Sequence, residues 1–414
     1  MKKILLISVL LAGAAWLVFA KMGGAKQTEK IAAIKPEKAH AEVLADHRDK
    51  RWFWVWGNRA PSQIDGRAFL FNSEGKQLGQ LNTGFWPNSL LPSEKRNELF
   101  SVETYFERGM RGARTDVVTV YDPTTLAAKR EIKIPPKRMD ALSNTGLAVL
   151  SDDERFLLVL NYTPAQSVSI VDLESSQFVT EVETPGCAAI YPAGARDFYS
   201  ICGDGGFLHL RLDDSGKPVL RERIAPVFDA ARDFLTTSAS RSGDTWYFIS
   251  SDNNAYALQM TPKDLKVTGK WSLVTDKERD KNWRISGVQH TAVHRASGRL
   301  YVLMHQGAPE TREEPGTEAW VFDVKTHERV DRIELKELSL GIAVTQDSKP
   351  LLYSVDFFVP MPYPAMLWVF LTQGLDGIMK VMQNCITIYD VQSGKLLHKI
   401  DGIPTGYLNM ALPW

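Results

Sequence analysis

Short runs of alternating hydrophobic and polar residues recur along the chain, each followed by a tight turn and a second alternating run. Seven such copies are present, and the residues at which their first runs end are Asn72, Asp122, Asp172, Leu212, Met260, Asp323 and Asp390. The steps between these positions are 50, 50, 40, 48, 63 and 67 residues. A hydrophobic period of two predicts β-strands, and the paired runs predict β-hairpins.

A second predicted hairpin lies in each repeat, introduced by a polar turn such as the SDDER stretch that begins at Ser151. Each repeat is therefore a four-stranded sheet that buries its faces only against neighbouring copies. The sequence predicts an all-β fold, a seven-bladed β-propeller of four-stranded antiparallel blades over residues 51–414. The lone runs at 51–57 and 405–413 should pair and close the ring.

The N-terminus predicts export. Lys2 and Lys3 precede the apolar stretch from Ile4 to Ala20, which indicates a signal peptide over residues 1–20. An uncleaved membrane anchor is the alternative, since the 17-residue stretch approaches the length of a spanning helix. Residues 21–50 show no strand alternation and are predicted to form a flexible tail.

An apolar insertion over residues 357–382 separates the last two copies and carries only Asp376 and Lys380 as charged residues. Its prolines exclude a regular element at the start, whereas residues 365–382 could form a helix too interrupted by glycine to span a bilayer. We expect it to contact a protein partner or, peripherally, a membrane surface. The alternative is a flap folded onto its own blade.

The balanced charge and the absence of known catalytic motifs limit the functions that the sequence allows. Lys and Arg number 49, as do Asp and Glu, so the chain lacks the one-signed field of a nucleic-acid binder. His290 and His294 lie on a predicted strand, where residues four apart are separated by about 13 Å, so we predict no metal site. No G-x-S-x-G, C-x-x-C-H or H-E-x-x-H motif occurs. We therefore predict no catalytic residue in this chain.

Three cysteines in an exported chain suggest one disulfide. Cys187 and Cys202 lie at equal distances from Gly194 and Ala195, so a hairpin that turns there sets the two cysteines opposite each other. We predict that they form a disulfide bond. Cys385 begins a repeat strand and is predicted to be a small core residue.

Five ordered stretches resemble the large subunit of the quinoprotein amine dehydrogenases, the methylamine and aromatic amine dehydrogenase family. They are TGFWPNSLL from Thr83, FERGMRGARTDVVTVYDPTTL from Phe106, ETPGCAAIYPAGARDFYSICGDG from Glu183, DKNWRISGVQHTAVHRASGRLYVLMHQ from Asp280 and VTQDSKPLLYSVD from Val344. The resemblance extends from about residue 75 to residue 402. It implies the same seven-bladed fold and the same disulfide.

The resemblance also implies a function. Such a chain is the large, cofactor-free subunit of a periplasmic heterotetramer with two large and two small subunits. The small subunit carries a tryptophan tryptophylquinone, a primary amine is oxidised to an aldehyde and ammonia, and electrons pass to a blue copper protein. Phe85 matches an aromatic residue that lines the substrate channel, and Trp86 stands where we expect a smaller aliphatic residue. The alternatives are a stand-alone exported propeller acting as a binding module or scaffold, and a propeller lactonase.

Overall fold

The computed structural model describes residues 43–44, 49–58, 66–85, 89–138, 146–403 and 408–411. Residues 43–414 form one compact unit, and residues 1–42 are assigned to another. The predicted signal peptide and most of the predicted tail lie outside the described residues.

Twenty-eight strands are present among the described residues. Their bounds are β1 Phe53–Asn58, β2 Gly66–Phe71, β3 Gln77–Asn82, β4 Ser89–Ser93, β5 Glu98–Phe106, β6 Arg114–Tyr121, β7 Ala128–Ile134, β8 Ala148–Leu150, β9 Phe156–Asn161, β10 Ser167–Asp172, β11 Gln177–Glu183, β12 Cys187–Pro192, β13 Asp197–Cys202, β14 Phe207–Leu212, β15 Pro218–Ile224, β16 Leu235–Ser242, β17 Thr245–Ser250, β18 Asn254–Met260, β19 Leu265–Ser272, β20 Trp283–Ile285, β21 Thr291–His294, β22 Arg299–Gln306, β23 Gly316–Asp323, β24 Arg329–Val344, β25 Leu351–Phe358, β26 Gln383–Asp390, β27 Leu396–Ile403 and β28 Leu408–Ala411. The helical elements are α1 Asp276–Asp280, a 3-10 turn Pro309–Thr311 and α2 Tyr363–Val381.

These strands form an all-β propeller with four-stranded antiparallel blades. Five sheets have four strands each, and a sixth has eight. The four-stranded sheets have the orders β28-β1-β2-β3, β4-β5-β6-β7, β11-β10-β9-β8, β12-β13-β14-β15 and β16-β17-β18-β19. The seven equivalent positions that the sequence identifies lie at or just after the ends of β2, β6, β10, β14, β18, β23 and β26.

The predicted count of seven separate blades is wrong, because only five four-stranded sheets stand alone among the strands that the structure describes. The last two predicted blades share the 16-residue strand β24. Residues 329–334 and Ser339 of β24 pair with β23, whereas residues 338–344 pair with β25. No glycine or proline interrupts the sequence from Arg329 to Leu340, so the outermost strand of one unit continues as the innermost strand of the next.

The two chain ends pair as predicted. β28 is hydrogen-bonded to β1, with Trp54 opposite Ala411 and Gly57 opposite Leu408. The C-terminal strand thus becomes the innermost strand of the first sheet. A free edge of that sheet is removed by this pairing.

The core lies between neighbouring sheets, and β1 shows why. Because successive side chains point to opposite faces of a strand, Phe53 and Val55 pack against the last sheet beside Tyr353. Trp54 and Trp56 face the other way and pack beside Leu90 of the next sheet. The alternating side chains of β1 are therefore buried on both faces of the first sheet.

The insertion forms a helix. α2 begins at Tyr363, with Pro364 in its first turn, where proline is tolerated. It is kinked at Gly374, which has φ of 67° and ψ of −160°. Among the described residues, α2 included, no helix has the length and hydropathy required to cross a bilayer.

Candidate functional site

The strand order determines which connections share a rim of the ring. Connections between sheets and connections from second to third strands lie on one rim, because neighbouring strands in a sheet are antiparallel. This rim carries Phe85, and we call it the Phe85 rim. It comprises residues 83–85, 107–113, 135–138, 162–166, 184–186, 203–206, 225–234, 251–253, 273–282, 307–315 and 359–382.

The remaining connections form the opposite rim. They are the tight turns 72–76, 94–97, 122–127, 151–155, 173–176, 193–196, 213–217, 243–244, 261–264, 295–298, 324–328, 345–350 and 391–395. Polar residues dominate these turns, and several aspartates cap them. Asp122, for example, accepts the backbone N–H groups of Thr124 and Thr125 at 2.9 Å.

The Phe85 turn is fixed by backbone hydrogen bonds on both sides. Gly66 N donates to Gly84 O at 2.9 Å, and Phe85 N donates to Thr104 O at 2.8 Å. Gly84 has φ of +71°, and a Cβ there would lie 2.8 Å from Thr104 O. Only glycine meets both conditions. The half-buried ring of Phe85 packs edge-on against Phe106, with centroids 5.2 Å apart.

A buried arginine donates hydrogen bonds to this turn from within the sheet. Arg138 is 3% exposed, and its guanidinium donates to Phe85 O at 2.9 Å and to Thr104 Oγ1 at 2.6 Å. Thr104 in turn donates to Asp116 Oδ1 at 2.8 Å. Arg114 donates to both oxygens of Asp116 and to Arg138 O. The main chain at Phe85 is therefore positioned by a network of charged hydrogen bonds within the sheet.

A second buried carboxylate lies beneath the same rim. Glu103 accepts hydrogen bonds from Tyr105 at 2.6 Å, Thr119 at 2.7 Å and Tyr121 at 2.9 Å. Burial raises the pKa of Glu103 above its usual range, although the three hydroxyl groups partly offset this effect. The network leaves the ring of Tyr105 40% exposed beside the rim.

The predicted disulfide between Cys187 and Cys202 is confirmed, with an S–S distance of 2.07 Å. The two residues lie directly opposite each other at the Phe85-rim end of β12 and β13. The register shifts by one residue closer to the turn, where Tyr191 faces Tyr199, so the hairpin is centred on Ala195. Ala189, with φ of 55°, lies within this irregularity.

A cavity of about 340 Å³ adjoins the disulfide on the Phe85 rim. Its lining includes Phe228, Phe234, Leu235, Ile201 and both cysteines. The lining is largely apolar, as in sites that receive an apolar group.

Exposed apolar side chains are concentrated on the Phe85 rim. Of the 15 large hydrophobic residues that the described chain exposes, seven lie there, and Tyr105 and Leu338 lie on strands directly beside it. The seven are Met110, Tyr162, Tyr363, Leu367, Trp368, Phe370 and Leu371. Five others lie on outermost strands, and the turns of the opposite rim contain none of those described. An apolar surface of this extent is typical of an interface.

The other candidate residues are buried within the sheets, lie outside the described residues or stay untested. Trp86 lies outside the described residues, and the channel role of Phe85 stays a prediction. His290 Nε2 lies 2.9 Å from Thr236 Oγ1, and burial lowers the pKa of His290 to about 4. His294 bonds to Ser297 and Asp347 O. Cys385 is buried, and burial raises the pKa of its thiol.

Sequence reasoning missed Arg138 and Glu103. Arg138 bonds to residues 34 and 53 positions away, and two of the three partners of Glu103 lie on the neighbouring strand β6, so spacing did not reveal the two networks. Arg114 and Asp116, two residues apart, were a usable signal, since alternate residues of a strand share a face.

Comparison with known proteins identifies the family. A family model described as methylamine dehydrogenase heavy chain (MADH) matches residues 60–359. A methylamine dehydrogenase heavy chain of Methylobacillus flagellatus is 32% identical over 282 residues, covering 67% of this chain and 70% of that one. The heavy chain of Methylorubrum extorquens is 25% identical over 363 residues, covering 84% of this chain and 88% of its own.

Solved structures support the fold alone. A functionally unknown protein of Desulfotomaculum acetoxidans has a TM-score of 0.53 at 11% identity, over 87% of this chain and 99% of that chain. Fold and rim thus define a β-propeller with apolar side chains exposed on one rim. More particularly, the chain belongs to the methylamine dehydrogenase heavy chain family.

Proposed function

We propose that this chain is the large subunit of a periplasmic amine dehydrogenase that oxidises a primary amine to an aldehyde and ammonia. The observation that carries the proposal is the family match over residues 60–359, which includes the Phe85 turn, Arg138 and the disulfide. Fold similarity by itself would not assign this activity, since propellers serve many functions.

The proposed complex contains two large and two small subunits. When bound on the small subunit, a tryptophan tryptophylquinone supplies the electron sink for amine oxidation. Such a group requires from this chain a docking surface rather than a set of ligands. The apolar Phe85 rim fits that requirement, because exposed aromatic and aliphatic side chains cluster there.

In this proposal Phe85 lines the path by which the amine reaches the small subunit. Its ring is held by Phe106, and its carbonyl is held by Arg138. A fixed aromatic wall can orient the alkyl or aryl part of an amine and exclude water from it. The adjacent Trp86, where we expect a smaller aliphatic residue, is the second residue that we assign to the substrate channel.

The cellular location and the electron acceptor complete the proposal. The disulfide supports an oxidising compartment, in agreement with the predicted signal peptide. Electrons would leave the complex through a blue copper protein that docks on the assembled subunits. The alternative function, a stand-alone exported propeller that acts as a binding module or scaffold, requires no small subunit.

The test is purification of the tagged chain from its native periplasm. We expect a small subunit to co-purify, quinone absorbance in the visible range, and dye reduction that depends on added primary amine. Separate assays with short alkyl amines and with aromatic amines would define the preferred substrate. A chain that purifies alone, without quinone absorbance or amine-dependent dye reduction, would overturn the proposal.

A further inference from the structure

Helix α2 projects from the Phe85 rim of the eight-stranded sheet. It occupies the connection between β25 and β26, and it begins after residue 359, where the family match ends. The helix is therefore additional to the part of the chain that the family model describes. Its side chains cannot be explained by the packing of the propeller alone.

The first half of α2 exposes an apolar surface. Val369 is buried, with 8% exposure, and lies beside Gly377 in the second half of the helix. Five large side chains before the kink at Gly374 are instead 42–72% exposed. They are Tyr363, Leu367, Trp368, Phe370 and Leu371.

A further exposed apolar side chain lies on the sheet that carries the insertion. Leu338 is 49% exposed, and it lies directly opposite Phe357 at the base of the insertion. Leu338 therefore lies at the end of the sheet from which the connection to α2 begins. A single partner could contact both Leu338 and α2.

Charge distinguishes a protein partner from a lipid surface. Helices that lie on membranes carry Lys and Arg on their polar face, but residues 357–382 contain one basic residue, Lys380, and it lies after the kink. An aromatic and aliphatic helix without flanking basic residues instead fits a hydrophobic groove of a protein. Because α2 lies on the same rim as Phe85, the small subunit that is proposed to bind this rim is the candidate partner.

We propose that the first half of α2 docks into an apolar groove of the small, quinone-bearing subunit and adds to the contact made around Phe85. This inference rests on the proposed function. It assigns to α2 a docking surface that the family-matched residues do not provide. Trp368 and Leu371, at 62% and 72% exposure, have the most apolar area to bury.

The experiment compares two variants of the tagged large subunit in the reconstituted complex. The test variant is Trp368→Gln with Leu371→Gln, which keeps helix-forming residues. The matched control is Leu396→Gln with Leu397→Gln, which changes two exposed leucines on the outermost strand of the same sheet. Dissociation of the small subunit on dilution is measured for each complex, with circular dichroism and melting temperature as checks of folding.

We expect the test variant to release the small subunit at a concentration at least about tenfold higher than wild type, with the control unchanged. Equal dissociation of all three complexes would overturn the inference and leave the proposed function intact. Wild-type protein that lacks a quinone-bearing subunit would overturn both. If assembly is unchanged but the test variant alone loses sedimentation with phosphatidylglycerol vesicles, α2 contacts lipid and the inference is wrong.

Discussion

The two rims of the ring are built on different principles. The turns of the opposite rim are short, and their side chains are satisfied by ion pairs such as Arg241 with Asp152 and Arg51 with Asp347. The connections of the Phe85 rim are longer, expose apolar side chains and rest on buried polar networks. The opposite rim therefore presents paired polar groups to water, whereas the Phe85 rim leaves apolar side chains exposed.

Carboxylates on the two sides reflect this difference. In the opposite rim, backbone N–H groups lower the pKa of Asp323 to about 2, and hydrogen bonds lower the pKa of Asp390. Near the Phe85 rim, burial raises the pKa of Glu103 and raises that of Asp356 to about 6. Solvated turns therefore favour the charged carboxylate, and the buried networks disfavour it.

The largest expected effect is the loss of Arg138. Arg138→Ala should lower the free energy of unfolding by about 4 kcal/mol, because Thr104 and the Phe85 carbonyl lose a buried charged donor. Arg51→Ala, which breaks a partly exposed pair on the opposite rim, should cost about 1 kcal/mol or less. Urea unfolding of both variants makes the comparison. Equal losses of unfolding free energy in the two variants would show that buried and partly exposed arginines contribute alike on the two rims.

Removing the disulfide should have the next largest effect. Cys187 and Cys202 are 15 residues apart, and replacing both with Ser should lower the free energy of unfolding by about 3 kcal/mol if loop closure dominates. Melting the wild-type protein with and without reductant is the measurement, and the double variant serves as the control that reductant should not affect. Identical melting of oxidised and reduced wild-type protein would contradict the prediction.

The buried carboxyl group of Asp356 should make the stability of the protein depend on pH, which allows a test of the networks near the Phe85 rim. It accepts hydrogen bonds from Ser354 and Thr387, and its pKa of about 6 exceeds the usual 3.8. Between these values the folded protein binds the proton more tightly than the unfolded chain, so this group's stabilisation is lost as pH rises. The stability of wild type relative to Asp356→Asn should fall by up to about 3 kcal/mol from pH 4 to 7.

The matched control for that experiment is Asp323→Asn. Because the pKa of Asp323 is lowered to about 2, the stability of wild type relative to this variant should rise with pH between about 2 and 4. Chemical unfolding at a series of pH values measures both. A stability difference for Asp356→Asn that does not change with pH would refute the buried-carboxylate prediction.

Periodicity predicted most of the fold. The ends of β6 and β10, the closure by β28 and the facing cysteines all follow from a period of two and from turn residues. The fusion through β24 did not follow, because hydrogen bonding across a continuous strand has no mark in composition. The one-residue register shift near Ala189 was equally hidden, since a non-glycine residue adopts positive φ there.

The candidate site was less accessible to sequence reasoning. The resemblance pointed to Phe85, but Arg138 supports that turn from 53 residues away. The exposed side of α2 also required coordinates, because a run of apolar residues does not reveal that Val369 is buried while Leu371 is exposed. Hydrophobic composition indicates that an interface exists, and three-dimensional packing decides which face forms it.

Among the changes on the Phe85-rim side, the smallest expected effect on stability, and the most informative for function, is at Phe85. Its ring is half-buried and contacts Phe106, so Phe85→Ala should lower the free energy of unfolding by only about 1–2 kcal/mol. The ratio of kcat/KM for aromatic and short alkyl amines should change about tenfold, because a pocket wall has been removed. Phe106→Leu is the control, since it loosens the ring without removing it. An unchanged ratio in Phe85→Ala, with the complex intact, would show that this rim holds the partner but does not line the path of the amine.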